Sequence, residues 1–158
     1  MSTPEGFASL AFDQRHGPYF IIMRALGIDH GTKRIGLALS DPSQIFASPF
    51  GFYDTHPRKR LQKRLQKLFE EKEITVLVVG EPLTLKGEVG IQAEKVEDFV
   101  EWLRSWVDLE IHSVDERLTS VIAEKALIES GMRRAERKTK RDAVAAAILL
   151  QTWLDSEG

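Results

Sequence analysis

Four acidic positions beside apolar runs are the residues of this chain best suited to chemistry: Asp29, the adjacent Asp115 and Glu116, and Asp142. Asp29 follows the apolar run at 25–28, and His30-Gly31-Thr32-Lys33-Arg34 separates it from a second run at 35–39. A carboxylate at the rim of a buried sheet must be paired, hydrogen-bonded or metal-bound to offset its desolvation. Two readings of Asp29 stand level on this stretch alone: a loop cap or partner of Arg34, and a ligand with a functional role. Several carboxylates gathered from distant parts of a chain repel one another unless cations sit among them. Mg²⁺ or Mn²⁺ suits such a group, accepting one or two carboxylates while keeping waters and substrate phosphate oxygens. Two such ions about 4 Å apart would activate a water and stabilise the leaving oxygen in phosphodiester cleavage.

The elements that must bring these acids together follow from the hydrophobic pattern. Residues 25–28 and 35–39 read as a hairpin, and 46–53 as a third strand that Pro49 and Gly51 confine to an edge. Pro57 opens a helix over 57–72 with Leu61, Leu65, Leu68 and Phe69 on one face. The run ITVLVV at 74–79 is expected to be a strand covered on both faces. A helix over 91–106, a strand over 110–114 and a helix over 120–130 closed by Gly131 follow, and the last helix is expected to start at Asp142. This order predicts an α/β fold, a mixed five-stranded sheet of three antiparallel strands then two parallel ones, flanked by helices. If the first, fourth and fifth strands are parallel neighbours, their carboxyl ends share one rim, where open α/β sheets place their sites. Asp29 and the Asp115-Glu116 corner meet there, with Asp142 in reach. Alternation sends Asp115 and Glu116 to opposite sides of a strand, which leaves the choice of ligand between them open.

Cations accompany the acids. Lys33, Arg34 and Arg117 are near them in sequence, as partners of flanking phosphates or of the acids themselves. The segment from Arg133 to Arg141 carries six cations, among them Arg137, Lys138, Lys140 and Arg141, against the single acid Glu136. It is expected to be a mobile, phosphate-gripping run. With a net charge of −2, a nucleic-acid site has to come from such local clusters rather than from the overall balance. Six cations on the first helix, from Arg58 to Lys67, are read as a solvated face with phosphate contact as the sharper possibility. The three tryptophans, Trp102, Trp106 and Trp153, are expected in the core, and His30 in a turn role.

At 158 residues, 42% hydrophobic and 29% charged, the sequence suits one globular domain, here 23–158, preceded by a loosely ordered extension at 1–22. The absence of cysteine removes disulfides, thiol catalysis and cysteine-based zinc sites. No apolar run reaches membrane-spanning length, so the cytoplasm is the expected compartment and no membrane partner is expected.

The motifs DHGTKRIGLALSD, VVGEPLTLKGEVG, VDERLTS and KRDAVAAAILL, in this order, resemble the bacterial YqgF family, also called RuvX, provisional pre-16S rRNA nucleases. The likeness runs from Met23 to about Leu154, and Asp29, the acidic pair of VDER and Asp142 match the family's acidic positions. The resemblance implies a ribonuclease H-like fold, akin to that of Holliday junction resolvases. It also implies a metal-dependent nuclease acting at the 5′ end of the small-subunit rRNA precursor, with the resolution of branched DNA as the older alternative. A non-catalytic RNA- or ribosome-associated module is the third reading. A two-fold homodimer would suit a junction, whereas a monomer suffices to trim one strand.

Overall fold

The structure is a computed structural model that describes residues 9–10, 21–81, 90–115, 128, 131 and 133–157. Two short strands, β1 (Ser9–Leu10) and β2 (Ile21–Ile22), pair antiparallel with each other. The main sheet holds β3 (Arg24–His30), β4 (Arg34–Ser40), β5 (Ala47–Asp54), β6 (Ile74–Glu81) and β7 (Glu110–Asp115). Its order is β5-β4-β3-β6-β7, with β3–β4 and β4–β5 antiparallel and β3–β6 and β6–β7 parallel. This is the mixed five-stranded sheet that the hydrophobic pattern predicts.

Each of the buried strands contributes alternate residues to two separate cores. Leu26 and Ile28 of β3, Ile35 and Leu37 of β4, and Leu77 and Val79 of β6 face one side. There they meet Leu61, Leu65 and Leu68 of α1 (Arg58–Glu71) and Val96, Phe99 and Leu103 of α2 (Ile91–Arg104). Ala25, Ala38, Val76 and Val78 face the other side, against Ala146, Leu149, Leu150 and Trp153 of the last helix, α3 (Arg134–Glu157). The small residues on that second side let α3 lie close. A Cβ at Gly27 would fall 2.8 Å from the Leu150 Cβ and 3.0 Å from the Ala146 carbonyl oxygen.

Two elements depart from the sequence-based expectation. β3 continues through Asp29 to His30, so the acid lies within the strand and the hairpin loop shrinks to 31–33, closed by the Gly31 N–H donating to the Arg34 carbonyl at 2.8 Å. The basic run is not a separate mobile segment, and Asp142 does not head the last helix, because α3 begins eight residues earlier, at Arg134. Arg, Lys, Ala and Glu are strong helix formers, and a helix nucleated on the sheet by its apolar half propagates upstream at little cost. The side chains of Arg134, Glu136 and Lys140 are exposed, so the charge stays in solvent. The expected helix at 120–130 lies outside the described residues except for Ile128. Gly131 has φ +79°, and its N–H donates to the Ile128 carbonyl at 3.0 Å, the left-handed geometry anticipated for a glycine closing a helix. No helix among the described residues is long and apolar enough to cross a membrane.

Candidate active site

Asp29 and Asp142 are 113 positions apart in the chain, and both lie against Gly36. Asp29 is the cross-strand partner of Gly36 in the β3–β4 ladder. On β3 it follows Ala25 and Gly27 at intervals of two, so it points to the side covered by α3. α3 lies close to β4 at Gly36: a Cβ there would run into the Asp142 carbonyl group and stand 2.9 Å from the Asp142 Cβ. Any side chain at position 36 would therefore push Asp142 away from the strand that carries Asp29.

Arg34, two residues before Gly36 and on the same side of β4, completes the corner. Its Nε lies 3.0 Å from the Asp142 Oδ2, with both side chains largely shielded. The same guanidinium lies 5.1 Å from the centre of the Phe52 ring, within cation–π range. Phe52 pairs with Gly36 across β4–β5, so Asp29, Gly36 and Phe52 form one row across three strands. Phe52 is 39% exposed, a flat apolar surface beside the acid pair. Sequence reading missed it, because an aromatic on an edge strand looks the same whether it covers core or faces solvent.

The other expected site residues fall as follows. Val114 packs with the α3-side core, so Asp115, the next residue, turns to the opposite side from Asp29 and Asp142. Its expected catalytic role thus finds no support in the strand register. Glu116 and Arg117 lie outside the described residues. Lys33 is exposed in the hairpin loop. Arg137, Lys138, Lys140 and Arg141 occupy the turns of α3 immediately preceding Asp142.

Among the described residues, no three of the His, Asp and Glu side chains gather closely enough to hold a metal ion. Two carboxylates at Gly36 are nonetheless the donor set that Mg²⁺ accepts, since it is commonly bound by one or two carboxylates plus water and phosphate oxygens. The residues present fit a hard divalent ion on that ground.

His30 follows Asp29 but faces the opposite side, toward α1 and α2. It is buried, its ring centre lies 4.7 Å from that of Phe99, and its pKa is lowered from 6.5 to about 4. Burial is the main cause, with the charges of Arg58, His56 and Lys95 adding to it. His30 is therefore a neutral core residue of β3 rather than a turn residue. The tryptophans lie where the sequence suggests: Trp153 is buried against the sheet, and Trp102 and Trp106 pack on the α1/α2-side core.

The RuvX family model, described as Holliday junction resolvase, matches residues 23–156. The chain belongs to the RuvX family. A Roseiflexus sp. (strain RS-1) relative, provisionally named a pre-16S rRNA nuclease, is 44% identical over 134 residues, 85% of this chain and 95% of that protein. A relative from Maridesulfovibrio salexigens with the same name is 44% identical over 132 residues, 84% of this chain and 98% of the other. RuvX proteins are thus a family of nucleases, hydrolases that act on phosphodiester bonds. Among solved structures, T. thermophilus RuvC in complex with Holliday junction substrate superposes with a TM-score of 0.52 at 16% identity, covering 85% of this chain and 95% of that one. The fowlpox virus Holliday junction resolvase gives 0.50 at 13% identity, covering 85% and 99%. The RuvX chain therefore has the ribonuclease H-like fold of these resolvases.

Proposed function

We propose that this RuvX chain is a divalent-metal-dependent endonuclease that trims the 5′ end of the pre-16S rRNA. The observation that supports the proposal is the close packing of α3 at Asp142 on Gly36, the cross-strand partner of Asp29. Asp29 and Asp142 hold the ion, and Glu116, which follows β7 in sequence, is the candidate third ligand. Mg²⁺ or Mn²⁺ bound there, as one or two ions, would lower the pKa of a water and offset the charge that builds on the phosphate oxygens. Arg34 orients the Asp142 carboxylate through their ion pair and keeps the acid pair partly neutralised when no ion is bound. The α3 cations Arg137, Lys138, Lys140 and Arg141 lead a phosphate backbone toward Asp142, with Lys33 on the hairpin loop and Arg117 beyond β7 as further phosphate contacts. Phe52 offers an unpaired base a surface on which to stack.

The names of the relatives favour precursor rRNA as the substrate, and the family description favours a four-way junction. A precursor-rRNA fragment and a synthetic DNA junction, each incubated with Mg²⁺, Mn²⁺ or EDTA, separate the two. The proposal expects ion-dependent cleavage of the RNA, lost in Asp29→Asn and Asp142→Asn while both variants still bind it. Cleavage of the junction alone would transfer the site to DNA. Undiminished cleavage by both variants would remove the site from the chemistry altogether.

A further inference from the structure

A second depression lies on the opposite side of the sheet, at the same rim. It has a volume of about 180 Å³ and is bounded by His30, Thr32, Thr55, His56 and Arg58, with Lys95 and Asp98 from α2. We infer that this cleft binds a phosphate group, using Arg58, Lys95, the amino end of α1 and the buried ring nitrogen of His30. Three independent features support it. First, Nδ1 of His30 is buried without a hydrogen-bond partner, although the residue is only 7% exposed. An orphaned buried ring nitrogen is costly unless a ligand completes it, and in neutral imidazole one nitrogen can donate.

Second, α1 is 14 residues long and begins at the cleft. Its N-terminus has no side-chain cap, and its first turn holds no acid. The first N–H groups of a helix lack intrahelical partners and carry partial positive charge, the arrangement that favours a phosphate. Third, Arg58 and Lys95 outnumber Asp98 among the charged residues of the wall. Arg58 is steadied by its guanidinium lying 4.8 Å from the Trp102 ring centre. A cation is the wrong occupant, because the wall carries the positive side chains of Arg58 and Lys95 against a single carboxylate, Asp98. Thr55 is not a donor to the ligand: its hydroxyl donates to the Gly31 carbonyl at 3.2 Å and ties the cleft floor to the hairpin.

The inference stands apart from the nuclease reading, since phosphate binding here needs neither Asp29 nor a metal ion. Two sources could supply the group: free inorganic phosphate, or a backbone phosphate of a strand that crosses the rim from the acid pair. The test is a titration of the metal-free full chain with inorganic phosphate, followed by the backbone amide shifts of Arg58 and Lys59. It is repeated with a short single-stranded RNA, and with both ligands together.

Saturable shifts with Kd in the millimolar range or tighter are expected, weakened at least about tenfold by Lys95→Glu and by His30→Phe. Asp142→Asn should leave them unchanged. Lys95 is exposed, so its variant keeps the fold even if the His30 change disturbs packing. Displacement of phosphate by the RNA identifies the strand as the source, and lack of displacement identifies the free anion. Absence of saturation, or equal shifts in wild type and Lys95→Glu, would overturn the inference.

Discussion

Replacing Gly36 by alanine tests the packing that joins the two acids. The new Cβ would lie 2.9 Å from the Asp142 Cβ and nearer still to its carbonyl group. Favourable carbon contacts lie near 3.5–4.0 Å, so α3 would have to retreat by roughly 1 Å. Overpacking of this kind costs about 1–3 kcal/mol, and the upper end applies because the obstacle is helix backbone that no rotamer change can move. In a chain of this length about 3 kcal/mol lowers Tm by roughly 6–12 °C. A displacement of about 1 Å at a reacting centre can also cost on the order of 100-fold in rate. Thermal melting gives the first quantity, and single-turnover cleavage below the melting range gives the second. Gly51→Ala is the control, since a Cβ there meets nothing within 4 Å. If Gly36→Ala melts and cleaves like Gly51→Ala, α3 does not press on β4 at Asp142, and the reasoning that unites the acids fails.

Other consequences are open to direct measurement. His30 holds its proton less tightly when folded, at about 4 against 6.5 unfolded, so the unfolded chain takes up a proton that the folded chain refuses as pH falls between these values. Stability should fall by up to about 3 kcal/mol from pH 6.5 to 4 and change no further from this group below pH 4. The difference in denaturation midpoint between wild type and His30→Phe should follow that window, and a difference independent of pH would refute the assignment. Arg34→Gln removes a cation beside Asp142, so the concentration of Mg²⁺ giving half-maximal activity should fall several-fold while the rate at saturation drops; an increased Mg²⁺ requirement would contradict the electrostatic argument. Phe52→Ala should weaken binding of a single-stranded substrate by about 1–3 kcal/mol and leave duplex binding nearly unchanged, and fluorescence anisotropy distinguishes the two outcomes.

Much of this arrangement is legible in the sequence because it rests on local patterns. The continuous β-branched run at Ile74–Val79 announces a strand buried on both sides, and the strand order follows from the spacing of strands and helices. A glycine such as Gly36 inside a strand pattern leaves room for another backbone or for a substrate, and the structure supplies α3 as the element that fills it. What stays hidden depends on long-range facts. The side on which Asp115 faces is set by which sheet face α3 covers, through Val114, and no local pattern carries that information. The extent of α3 was concealed by its charge: Arg134 to Arg141 looks too cationic to pack, yet it need not pack, because the helix is anchored by its second half. Phe52 gains its meaning only from lying in the Asp29–Gly36 row, and His30 its burial only from Phe99 on a distant helix.

The proposed site requires Asp29 and Asp142 to share a divalent ion. A crystal of the full chain soaked in Mn²⁺, with data collected at the manganese absorption edge, measures this directly. An anomalous peak is expected about 2.0–2.2 Å from an oxygen of each carboxylate, with Arg34 drawn off Asp142. An Asp142 still bound only to Arg34, with the ion elsewhere or on one acid alone, would contradict it.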